Sequence, residues 1–324
     1  MTKTILLTGA SGVLGSELAK LFPAERLILT RHRTPLAHTA RQVSIDIRAD
    51  KLGLDESDYS VLARDVDIII HAAAITDMGG AAPGLEETNI DGVRHMAMFA
   101  KAASAPMHYI STAYCSLEYA AKRAVPSAYV ESKRAAEAVL AEHDIPHTIC
   151  RPSIIAGHSE TGEIASYQGF HLFISQILSG RVPVIPLERD AQCDFIPVDV
   201  VARCVSEVIR APEVGRTYWL TGGADALTIG DMFAVGRPFA EKIGRDLDAV
   251  KLISPEEMTA LLDTLPRRLK ERMTTMMELS SVMARAQAFP SDVNGLLGDG
   301  VVSRDMLAQT LRSNLDWWGR GKLP

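Results

Sequence analysis

The apolar run Ile5-Leu6-Leu7 leads directly into Thr8-Gly9-Ala10-Ser11-Gly12-Val13-Leu14-Gly15, after which Glu17 and Lys20 set up a helical spacing. No other feature constrains this chain as strongly. Glycine is needed where a tight turn takes backbone angles closed to other residues, where main chain approaches a bound group, and where a helix packs onto a strand. A helix that starts at such a loop points unpaired N–H groups outward, and these favour an anion. We read the segment as strand, turn and helix around the pyrophosphate of a dinucleotide, with Gly9, Ser11, Gly12, Val13, Leu14 and Gly15 as cofactor-binding candidates. The spacing is GxxGxxG and not the GxGxxG of the common fingerprint. The reading therefore rests on the flanking strand and helix.

The rest of the first half alternates short apolar runs with longer amphipathic stretches, as a parallel sheet covered by helices requires. Strands are predicted at residues 4–8, 26–30, 42–45, 66–71, 107–111 and 147–151, and helices at 12–22, 84–103 and 128–143. The fold class is α/β, a doubly wound parallel sheet of Rossmann type with a smaller, mostly helical C-terminal portion. After Arg151-Pro152 the pattern loosens into a Gly- and polar-rich stretch, a helix reaching Gly180, and Arg181-Val182-Pro183-Val184-Ile185-Pro186. Segments 193–198, 199–210 and 217–220 read as a return to the sheet. The expected nucleotide-binding domain takes residues 1–155 and about 190–222, and the substrate-binding portion about 156–189 and 223–324. With 324 residues, 47% of them hydrophobic, the chain can build such a core.

A formal net charge of -6 leaves no broad basic footprint, so nucleic acid is excluded as the main partner. The longest other apolar run, Val66 to Ile75, is shorter than the roughly 20 residues of a membrane span. The N-terminal apolar stretch is interrupted by its glycine turn and is not read as a signal peptide. Cys115, Cys150, Cys193 and Cys204 have neither CxxC nor zinc-ligand spacing, and read as reduced thiols of a cytoplasmic protein. The nine histidines lack HExxH spacing, and no metal is expected.

The second strand ends Thr30-Arg31-His32-Arg33, and no acid lies between Glu25 and Asp46. The carboxylate that would hold the ribose hydroxyls of NADH is missing from its place. Arg31, with Arg33 as the second candidate, can instead pair with a 2′-phosphate through two parallel hydrogen bonds. NADPH is therefore expected over NADH. Further on, Tyr129-Val130-Glu131-Ser132-Lys133 puts a phenol and an ammonium on one helix face. YxxxK is common by chance. It gains weight from following both the glycine loop and a strand that ends in Ser111-Thr112.

Together these residues resemble the short-chain dehydrogenase/reductase superfamily, in its extended, epimerase-like branch, over about the first 220 residues. The resemblance implies that Asp46 and Ile47 lie beside the adenine, and that Ala72, Ala73 and Ala74 form the cofactor-side turn after the fourth strand. It implies further that Asn89 is the helix asparagine, and that Pro152 and Ile155, within Arg151-Pro152-Ser153-Ile154-Ile155, pass the nicotinamide. Ser111, Thr112, Tyr129 and Lys133 match the catalytic set, with Thr112 the preferred hydroxyl and Lys133 also on the cofactor ribose. The stretches Gly157 to Ile164, Gln168-Gly169-Phe170 and Asp194 to Asp199, with Leu52-Gly53-Leu54, are similar to the thioester-reductase group. That group resembles fatty acyl-CoA reductases and the terminal reductase domains of carboxylic acid reductases and of peptide or polyketide synthetases.

The implied activity is reduction of an acyl thioester, carried on CoA or an acyl carrier protein met in trans, to an aldehyde or, after a second round, an alcohol. Tyr129 is the implied proton donor, with its pKa lowered by Lys133, and Thr112 holds the carbonyl oxygen. Sugar-nucleotide epimerases, dehydratases and ketone reductases use the same set, so they stay open as alternatives. A cofactor-sensing protein on this fold typically lacks the Tyr and Lys. Met273, Met276, Met277 and Met283 fit either a core stripe or an acyl pocket. Trp317-Trp318 fits either a contact in a homo-oligomer or complex, or a packed terminal helix.

Overall fold

Six strands of the first half are β1 (Ile5–Thr8), β2 (Leu27–Arg31), β3 (Arg41–Ser44), β4 (Ile68–His71), β5 (Met107–Ile110) and β6 (His147–Pro152). β1, β4 and β5 are buried at every position, as parallel strands covered on both faces must be. The computed structural model describes residues 3–32, 34–76, 82–116, 127–167, 169–180, 182, 184–211, 214–267, 270, 273–274, 277, 280, 284–285 and 287–321. The six strands join Thr217–Leu220 in one seven-stranded sheet, in the order Thr217–Leu220, β6, β5, β4, β1, β2, β3. All its pairs are parallel, with Ile5 opposite both Leu27 and Ile68. The sheet order reverses between β1 and β4, which opens a crevice at their C-terminal ends.

Alternate residues of the strands feed opposite faces. Leu6, Ile28, Ile69, Met107 and Tyr109 pack with Met96, Phe99 and Leu140, under α2 (Glu56–Asp65), α3 (Gly92–Ala103) and α4 (Ala128–Glu142). Leu7, Leu29 and Ile70 pack with Leu14, Leu18, Val201 and Val205, under α1 (Val13–Leu21) and α6 (Val198–Arg210). Burying each such side chain contributes about 1.5–3 kcal/mol, so packing on the sheet, and not local propensity, holds the helices in place.

The predicted strands and helices match these elements to within two residues, with two differences. Helix α2 was not predicted from the sequence. Asp55 caps it, accepting from the Asp58 N–H, but of its residues only Leu62 and Ala63 are buried, too few for a visible apolar stripe. The predicted helix over 84–103 is instead a π-helical turn, Glu87–Asp91, running into α3.

The second half is not only helical. Gln192–Cys193 pairs antiparallel with Leu227–Thr228 and with Ala284–Arg285. Around these strands pack α5 (Gly169–Leu178), α7 (Ile229–Lys242) and the terminal helix Arg304–Gly321. Trp318 is buried in that core beside Leu311 and Leu315, and Trp317 lies against Tyr167, so the terminal helix packs down onto its own chain. Met273 is buried in the same core and Met277 packs against it; Met276 and Met283 lie outside the described residues. Among the described residues no helix is long and apolar enough to cross a membrane.

Candidate active site

Gly9 and Gly15 are each required by a close approach. Gly9 has φ +72° and packs so tightly that a Cβ would lie 2.7 Å from the Ala72 carbonyl carbon and the Ala73 nitrogen. At Gly15 a Cβ would lie 2.1 Å from the Gly9 oxygen. Gly12 donates its N–H to that same oxygen at 2.8 Å. Thr8 ties the loop to β4: its hydroxyl accepts from the Ala73 N–H at 3.1 Å and meets His71 Nδ1 at 2.8 Å. Burial, aided by the Lys133 charge, lowers the His71 pKa to about 3, so the ring is neutral and structural. Helix α1 starts at Gly12 without a side-chain cap and without an acid in its first turn. Its N-terminus is thus an open cradle for an anion.

This cradle is one end of a cleft of ≈ 1290 Å³, counting its open mouth, lined by Gly9, Gly12, Val13, Leu14, Gly15, Ala72 and Ala74. The other end is lined by Ser111, Thr112, Tyr129, Lys133, Pro152 and Ile155. Ser127 caps α4 by accepting from the Val130 N–H, which places Tyr129 and Lys133 one turn apart on the cleft side. Ser11 lies at the exposed loop tip.

Lys133 Nζ donates to the Ile110 carbonyl at 2.7 Å and to the Tyr109 hydroxyl at 3.1 Å. Burial brings its pKa down to about 8, with Cys115 and Glu137 acting the other way. Burial also pushes the Tyr129 phenol up, reinforced by Cys115. That corrects the expectation that the neighbouring ammonium sets a lowered phenol pKa: here desolvation governs. The two hydroxyls of the β5 end differ. Ser111 donates to the Glu137 carboxylate, whereas among the described residues Thr112 makes only long contacts of 3.4 Å, to the Pro152 carbonyl and from the Tyr114 N–H.

Several expected residues stand outside the cleft lining. Asn89, 1% exposed, accepts from the Ile75 N–H at 2.8 Å and donates to the Ile75 carbonyl at 3.0 Å and to Ser132 Oγ at 2.9 Å. It holds the turn after β4 against α4, and the π-helical turn brings it there. Arg31 ends β2 and its carbonyl accepts from the Ile45 N–H. Arg33 lies outside the described residues. The Asp46 carboxylate is bound by Arg48 through its N–H, Nε and Nη2 at 3.0, 2.9 and 2.7 Å, with His32 Nε2 at 3.5 Å. Arg48 holds the Asp46 carboxyl well below the usual range. Ile47 packs against Gly92, and its carbonyl meets His95 Nδ1 at 2.8 Å.

Tyr114 and Glu137 escaped the sequence reading. Tyr114 lines the cleft, and no local spacing marks it; Phe170, of the Gln168-Gly169-Phe170 stretch, lines it as well. Glu137 stands behind Ser111, and its place four residues after Lys133 was a visible signal.

A parallel sheet that reverses at a glycine loop, with Tyr129 and Lys133 across the same cleft, is the arrangement of an NAD(P)-dependent oxidoreductase of the extended short-chain dehydrogenase/reductase type. The chain belongs to the NAD-binding family described as Male sterility protein, which matches residues 23–205, over half its length. It is 26% identical over 294 residues to fusarin C synthetase from Gibberella moniliformis, covering 80% of this chain but only 7% of that protein. Among solved structures, the terminal R domain of the myxalamid PKS-NRPS pathway aligns over 99% of this chain and 91% of its own, with TM-score 0.75 and 21% identity. An archaeal thiolation-reductase di-domain from a non-ribosomal peptide synthetase aligns over 99% and 76%, with TM-score 0.66 and 16% identity. An epimerase solved with NAD shares the fold as well.

Proposed function

We propose that the protein reduces an acyl thioester, carried on CoA or an acyl carrier protein, to an aldehyde with NADPH. The observation that carries this reading is a single cleft joining the anion cradle at Gly9 to Gly15 with Thr112, Tyr129 and Lys133. The uncapped N-terminus of α1 and the glycine contacts fit a pyrophosphate. The bound nucleotide supplies a hydride to the thioester carbonyl carbon. Thr112 donates a hydrogen bond to the carbonyl oxygen, and Tyr129 delivers a proton to it. The resulting hemithioacetal expels the thiol and leaves the aldehyde. Residues of the segments 156–189 and 223–324 form the substrate side.

Its likeness to terminal reductase domains of carrier-loaded synthetases favours thioesters over nucleotide sugars. The test is NADPH oxidation with acyl-CoA and carrier-bound thioesters beside free ketones and nucleotide sugars, with thiol measured in parallel. Thiol release matching NADPH consumption is expected. Turnover of a ketone or a sugar nucleotide, with thioesters inert, overturns the reading.

Arg31, at the end of β2, is assigned to the 2′-phosphate. The nearby acid, Asp46, already carries Arg48 and His32, which makes it a poor partner for ribose hydroxyls. Arg31→Ala should raise the Michaelis constant for NADPH about 10-fold, the worth of a hydrogen bond to a charged group, and leave that for NADH unchanged. An unaltered ratio of the two constants removes the assignment.

A further inference from the structure

Tyr129, Lys133 and Glu137 follow one another at intervals of four on α4, so they share a face. The first two reach the cleft; Glu137 does not line it. Its carboxylate instead gathers donors from three other segments. Oε1 accepts from Ser111 Oγ just past β5, from Cys115 Sγ at 3.1 Å and from Arg151 Nε of β6 at 3.0 Å. Oε2 pairs with Arg151 Nη2, and the Arg151 guanidinium lies 5.1 Å from the Trp219 ring centroid. Side-chain exposures of 19% and 12% for Arg151 and Glu137 leave little solvent to screen this pair. Burial pushes the Glu137 carboxyl up, but the Arg151, Ser111 and Cys115 hydrogen bonds outweigh it and hold it below its ordinary value.

Thr112 sits between two of these anchor points. Ser111 precedes it, and Cys115 closes the short turn Ala113–Cys115 that Thr112 caps. Cys115 Sγ also lies 3.1 Å from the Thr112 carbonyl. Among the described residues the Thr112 hydroxyl itself has only the two 3.4 Å contacts. Its position is therefore set through its flanks, and both flanks are tied to the helix that carries Tyr129.

We infer that Glu137 is a positioning residue that sets the spacing of the Thr112 and Tyr129 hydroxyls on the substrate oxygen by binding Ser111, Cys115 and Arg151 to α4. The inference rests on the assignment of Tyr129 as proton donor. A displacement of about 1 Å between such groups is enough to cost on the order of 10²-fold in rate. Glu137→Gln keeps the size of the side chain but removes the charge that Arg151 requires.

The test compares four proteins by steady-state kinetics, by fluorescence titration with NADPH and by melting temperature: wild type, Glu137→Gln, Tyr129→Phe and the double variant. Glu137→Gln should lower kcat about 10- to 100-fold and leave the NADPH dissociation constant within about 3-fold. In the Tyr129→Phe background the further loss should be under about 3-fold, because residues that act through one step are not additive. Cys115→Ala, a smaller change at the other flank, should lower kcat about 3- to 10-fold in the wild type and not at all beside Glu137→Gln. Equal losses in both backgrounds, an NADPH affinity that falls in step with kcat, or an unchanged kcat overturn the inference. If Glu137→Gln does not fold, additivity of Cys115→Ala with Tyr129→Phe overturns it instead. Full activity of Tyr129→Phe alone overturns both this inference and the assignment beneath it, whereas its loss beside an unaffected Glu137→Gln overturns only the former.

Discussion

Tyr129→Phe lowers turnover on a thioester about 10²-fold or more, while the protein binds NADPH as before. The ring packs beside the cluster of Ala113, Tyr114, Val130 and Phe289, and phenylalanine preserves that packing, so only the hydroxyl is lost. Burial raises the phenol pKa, so the hydroxyl enters the reaction protonated, although as a weaker acid than a free phenol. Stopped-flow or steady-state rates beside a fluorescence titration separate the two effects. Full turnover in the variant contradicts the assignment.

The pH dependence follows from Lys133. Burial has brought its pKa to about 8, so kcat/KM should fall above about pH 8 as the ammonium beside the cleft loses its charge. Stability moves the other way. Between about 8 in the folded chain and roughly 10.4 in an unfolded one, the unfolded state binds more protons, so this group makes the fold more stable as pH rises. A melting temperature that falls in step with activity across that window would point to unfolding instead.

Gly15→Ala has the largest expected effect on the fold. Its Cβ would stand 2.1 Å from the oxygen and 2.6 Å from the carbonyl carbon of Gly9, and 2.9 Å from the Ala10 Cα. All three are backbone atoms, so no side chain can swing aside. Helix α1 must lift from the loop, pulling Leu14 and Leu18 from the core, at a cost of about 3 kcal/mol. Nucleotide binding is lost with the cradle. Gly295→Ala is the control, since a Cβ there meets nothing within 4 Å, and it should melt like the wild type. If both variants melt alike, steric closeness is not what demands glycine at position 15.

The doubly wound sheet and the glycine loop were legible because their causes are local. Strands buried on both faces read as near-continuous apolar runs, as β1 and β4 do up to Thr8 and His71, and a glycine at φ +72° marks a turn other residues resist. The same holds for Tyr129 and Lys133, whose common face follows from helical spacing alone. Helix α2 was missed because little of it is buried. The side-chain partners of two expected cofactor residues were not legible in the sequence. Asn89, expected at the cofactor, bonds Ile75 and Ser132, 14 and 43 residues away. Asp46 was expected at the adenine, and Arg48 holds its carboxylate.

Glycine spacing and strand patterning determined on their own that this chain winds a parallel sheet around a dinucleotide loop, since sterics and burial act residue by residue along the chain. The resemblance already preferred Thr112 over Ser111, but the physical difference between the two hydroxyls at the end of β5 exists only in three dimensions. Ser111 and Thr112 are adjacent and chemically alike, and the difference between them is a carboxylate 26 residues on, at Glu137. Only packing of α4 against the sheet brings it within reach.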